Sequence, residues 1–96
     1  MRFRRSAGIP ALFQASFMRE LKAYKDDVLL DGYLAEAVWF WFDPSTVEKR
    51  LECGLHRVAA RCILSEIRKR GLDAPDEHLV FHQARLTFPL DDLKQR

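Results

Sequence analysis

The stretch from Asp43 to Gly71 constrains this chain more than any other. Its start, "DPSTVEKRL", offers Asp43 as a cap with Pro44 in the first helical position, or Ser45 with Glu48 three residues later as a capping box. Its end, "RKRG", brings cations to the negative end of the helix dipole and then Gly71 as a left-handed stop. The two signals predict one helix over residues 44–70, about 40 Å long at 1.5 Å per residue. In 96 residues such a rod dominates whatever packs around it.

The flanking segments carry helical periodicity too. Between Pro10 and Lys25 the apolar residues Phe13, Phe17, Leu21 and Tyr24 recur at spacings of four, four and three, one stripe of a first helix. Asp26 and Asp27 are candidate caps for a second, in which Leu30, Tyr33, Leu34, Ala37, Val38 and Trp41 share a face. Gly32 weakens that reading, and a short strand over "AVWFWF" competes with it because β-branched and aromatic residues favour strands. The helix is preferred, since its period spans the whole segment and no second strand follows. After Gly71, Asp73, Pro75, Asp76 and Glu77 signal a fourth helix from Pro75 to about Leu86. Pro89 bars its continuation, and the alternation around Leu86 and Phe88 predicts an extended tail.

The expected fold is therefore all-α: a small domain of three to four helices over residues 10–96, dominated by the helix at about 44–70 and ending in an extended C-terminal tail. Residues 1–9 are read as a basic N-terminal arm. The chain's length fits one domain, too small to bury a large fraction of its own surface, which favours assembly with a partner.

Charge is unevenly spread. Residues 1–25 carry six cations against Glu20 alone, a net +5, whereas residues 26–96 carry ten cations against thirteen anions, a net −3. Basicity belongs to the N-terminus, Arg2, Arg4 and Arg5 above all, which disfavours a polyanion-binding body. The acid-free, arginine-rich start up to Arg19 shares the pattern of mitochondrial import sequences. The most apolar window, "VLLDGYLAEAVWFWF", is too short and too charged to span a membrane.

Cys53 and Cys62 are nine residues apart on the long helix, about 180° around it and about 13.5 Å along it, so they share neither a disulfide nor a metal. Cys62 falls beside Val47, Leu51 and Val58 on the apolar face, a small buried hydrophobe. Cys53 with His56, facing His78 with His82, makes four zinc-type donors, but at no familiar zinc spacing; no metal and no cofactor is expected. No nucleophile and base, nor any glycine-rich phosphate loop, stands out, so the chain is read as non-catalytic, with no small-molecule substrate.

Two surfaces look made for contact. Arg50, Arg57, Arg61 and Arg68 recur at seven, four and seven along the long helix, a ridge within about 40° that matches carboxylates or phosphates. Trp39, Phe40, Trp41 and Phe42 make the end of the second helix apolar on all sides, more aromatic surface than a small domain readily covers. The expected role is a structural or accessory subunit that binds other protein subunits of a larger assembly, a mitochondrial, respiratory-chain type complex being the first guess. The alternative is a small RNA- or ribosome-associated module using the basic helix face, with RNA phosphate or anionic lipid at the ridge.

Overall fold

The computed structural model describes the backbone of residues 11–94 and the side chains of residues 14–94. The basic arm, with Arg2, Arg4 and Arg5, lies outside these residues, as does the Phe13 side chain. The described chain is an all-α domain of four helices: α1 (Ala11–Leu21), α2 (Asp26–Ala37), α3 (Val47–Lys69) and α4 (Glu77–Thr87), with short 3-10 turns at Val38–Phe40 and Leu90–Asp92.

The long helix starts later than either cap signal predicts. Thr46 is its cap, with Oγ1 accepting the Lys49 amide at 3.1 Å, because Pro44 and Ser45 lie outside the helix and leave Thr46 to meet the free amides. Its end is as read. Gly71 sits at φ 73°, the Leu72 amide reaches back to Ile67 and the Gly71 amide to Arg68, the paired bonds of a Schellman stop. Asp26 and Asp27 fall inside the first turn of α2 rather than capping it; their charge still suits that end of the dipole. α4 begins two residues after Pro75, where Asp76 accepts the Leu79 amide, and it runs through Leu86 to Thr87.

α1 and α3 run the same way: Gln14 and Phe17 lie against Leu55 to Cys62, while Leu21 meets the far end of α3. α2 runs back along α3, with Asp26 near Arg70 and Glu36 near His56. Leu21, Leu29, Cys62, Ile63 and Ile67 form the main core there. Burying the wholly enclosed Leu21, Leu29 and Ile67 contributes about 1.5–3 kcal/mol each. A second cluster joins Ala37, Ala60 and Val80, and a third joins Val38, Ala84 and Leu93, seating α4 on the end of α2.

The tail is not a free extended strand. After the turn at Leu90–Asp92 it returns to the body, with Leu93 bridged to Phe42, the Asp43 amide bonded to the Asp92 carbonyl and the Lys94 amide to the Trp41 carbonyl. One bridge is all the strand character that "AVWFWF" shows.

The apolar face expected to bury Val47 and Leu51 beside Cys62 is only half covered. Val58 and Cys62 pack under α1, whereas Val47, Leu51 and Leu55 stand 65%, 61% and 50% exposed.

Candidate functional site

The site grows out of the turn after α2. Val38, Trp39 and Phe40 lose rotamer freedom in an α-helix, and the α-helical ladder tightens to a 3-10 turn at Val38. That rotation splits the four aromatic residues between two sides, so the expected stack all round a continuous helix does not form.

Trp39 and Phe42 turn inward. The Trp39 ring stacks on His56, with centroids 4.4 Å apart and planes within 7°, and meets Phe42 at 5.0 Å and Phe88 at 4.9 Å. His56 in turn bonds Glu36. Phe42 is buried. The carbonyls this turn leaves free are taken by α3: Arg57 donates through Nε to Trp39 O and through Nη2 to Phe42 O, both at 2.8 Å, and the Cys53 thiol lies 3.4 Å from Trp39 O. Burial pushes the Cys53 and Cys62 thiols up from their ordinary pKa, so neither is a ready thiolate.

Phe40 and Trp41 lie on the other side of the turn, half-buried against Ala37, Ala60 and Val80. With Tyr33, Pro75 and Val80 they line an open groove of about 470 Å³, whose rim carries Glu77 and Lys94. Trp41 meets Phe81 edge-on at 4.6 Å, and burial against this wall pushes the Tyr33 hydroxyl up. The Arg61 guanidinium sits 5.5 Å from the centre of the Phe40 ring, a cation–π contact joining the groove to α3.

The predicted arginine ridge is thereby broken. Arg50, Arg61 and Arg68 are exposed, but Arg57 is half-buried and committed to the two carbonyls. Helical spacing places Arg57 on the ridge, yet it also places it under the turn, and unpaired carbonyls claim it. What remains is Arg50, then a gap of about 16 Å along the axis, then Arg61 with Arg68. Arg61, Leu64, Ser65, Arg68 and Lys69 line a shallow positive hollow of about 570 Å³. Three cations without an acid on this wall suit carboxylate groups.

Among the described residues no group of three or more His, Cys, Asp or Glu side chains is placed to hold a metal ion, so Cys53, His56, His78 and His82 do not converge. None of their helices is long and apolar enough to cross a membrane.

Arg70 escapes the sequence reading, although it organises the opposite end of the molecule. It donates to Glu66 at 3.0 Å, to Asp26 at 2.9 Å, and to the carbonyls of Leu21, Lys22 and Tyr24, tying the end of α1 and the start of α2 to the end of α3. The hydrogen bond from Arg70 holds the Glu66 carboxyl below the usual carboxylate range. The one signal in the sequence is their separation of four on a helix.

Fold and site together define a small all-α domain that presents an aromatic groove with a cationic border. Compared with protein-family models, curated proteins and solved structures, the chain matches none.

Proposed function

We propose that this protein is a non-catalytic accessory subunit that binds another protein through the Phe40–Trp41 groove. The observation that carries the reading is Arg61 held over Phe40 at the groove's edge, with Arg68 and Lys69 beyond it. Aromatic side chains and arginine dominate interface hot spots, and here they stand together and partly exposed. The fitting partner is a segment of another protein that combines an apolar or aromatic anchor with carboxylates. The acid-free, arginine-rich start supports a mitochondrial complex as its setting.

The test is recovery of the tagged protein at its native level and identification of the chains bound to it. Arg61→Glu with Arg68→Glu is expected to lose those chains at least tenfold while circular dichroism stays unchanged. Recovery of the protein alone refutes the reading. Recovery of RNA, falling steeply with salt through counterion release, gives the result to the RNA-binding alternative.

A further inference from the structure

The corner where α1 ends against α3, at the other end of the molecule from the groove, holds a surplus of cations. Glu66 is its centre. Only 6% exposed, it gives Oε2 to Arg70 at 3.0 Å, while its buried Oε1 has no hydrogen-bond partner. Two ammonium groups lean toward that carboxylate. Lys22 Nζ stands 3.9 Å from Oε1, and Lys69, one turn further along α3, lies in hydrogen-bonding contact with Lys22 and acts on Glu66 through its charge. Arg70 fixes the base of the arrangement. It takes the carbonyls of Leu21, Lys22 and Tyr24, which holds the Lys22 backbone where its side chain meets both Glu66 and Lys69.

Charge does not balance here. Lys22, Lys69 and Arg70 face Glu66 and Asp26, three cations to two anions. Two ammonium groups in contact repel, and loss of a proton from one of them relieves the repulsion. Lys22 is that group: the Lys69 ammonium beside it holds its amine below the ordinary lysine range, against the pull of Glu66. An amine lowered by a neighbouring cation is an activated nucleophile. The Lys22 side chain is also 57% exposed, so an electrophile reaches it from solvent.

We propose that Lys22 is an acylation site, modified by small acyl thioesters. The Nζ lone pair attacks the thioester carbonyl; the N–C bond forms, the C–S bond breaks, and the sulfur leaves as a thiolate that takes up the proton Nζ sheds. The product is a neutral amide. It leaves Lys69 and Arg70 against Glu66 and Asp26, two cations to two anions, and its remaining N–H is a donor beside Oε1, the oxygen that lacks one. Carbon dioxide could add to the same amine, but the resulting carbamate sets another anion against Glu66, so the thioester is the fitting reagent.

The test is brief exposure of the full chain to acetyl-coenzyme A at neutral pH, with peptide mass spectrometry reading acetylation at each lysine. Lys49, whose neighbour is Glu52, is the internal reference. Lys22 is expected to react roughly fivefold faster than Lys49. Lys69→Gln brings the two rates together, whereas Lys69→Arg keeps the neighbouring charge and preserves the difference. A Lys22 rate no faster than that of Lys49 overturns the proposal, as do equal Lys22 rates in Lys69→Gln and Lys69→Arg. So does a preference for Lys22 that survives in denaturant, because it then belongs to the local sequence and not to the fold.

Discussion

Replacing Arg57 by alanine tests whether this arginine belongs to the fold or to the surface. Its guanidinium donates two bonds of 2.8 Å to carbonyls of the turn that carries all four aromatic residues. Each charge-assisted hydrogen bond contributes about 1.5–3 kcal/mol, and the half-buried setting argues for the lower part of that range. The expected loss is about 3 kcal/mol, against a total of about 5–14 kcal/mol for a chain of this length. At about 4–8 °C per kcal/mol that lowers Tm by roughly 12–24 °C. Trp39 and Trp41 sit on the turn itself, so urea unfolding followed by tryptophan fluorescence reads the right region. Arg57→Lys, which keeps the charge but not the two-pronged fork, should recover part of the loss. Arg61→Ala gives up one exposed cation–π contact and should cost about 0.5–1 kcal/mol; Arg50→Ala should stay within about 0.5 kcal/mol of the parent. If Arg57→Ala unfolds at the same urea concentration as Arg50→Ala, Arg57 is a ridge residue after all and the account of the turn is wrong.

Three further outcomes follow from the same geometry. An added Cβ at Gly54 meets nothing within 4 Å, so Gly54→Ala should stabilise by up to about 1 kcal/mol, whereas Gly71→Ala, forced to φ 73°, should destabilise by about 1–2 kcal/mol; thermal melts of both variants check the opposite signs. Because Arg70 lowers the pKa of Glu66 in the folded state, its stabilising contribution is present above the ordinary carboxylate pKa and is lost as pH falls from there through the lowered value; Glu66→Gln should flatten that part of the stability–pH curve, and an unchanged slope contradicts the pairing. Both thiols are buried and raised in pKa, so alkylation at neutral pH should be slow in the native protein and rapid in denaturant; fast native labelling of either contradicts the packing of α3.

Local signals carried the helices well and the site only in part. The stop at Gly71 was legible because positive φ is a property of one residue and its two amide bonds, and the fourth helix was legible from acids and proline at its start. The cap of α3 was displaced to Thr46 because several residues in a row can cap, and only the path of the incoming chain selects one. The groove residues Phe40 and Trp41 were visible as excess aromatic surface, but their separation from Trp39 and Phe42 depends on a 3-10 turn that periodicity does not encode.

The sequence by itself determined that this chain forms a small all-α domain around one long amphipathic helix, because hydrophobic period, caps and stops act over a few residues. Only the tertiary structure decided what each face of that helix meets. It commits Arg57 to carbonyls presented from fifteen to eighteen residues away, gives Arg70 the task of joining three helix ends, and leaves Val47, Leu51 and Leu55 exposed. Contacts at that separation are set by how the helices cross, and a spacing along one helix does not contain that information.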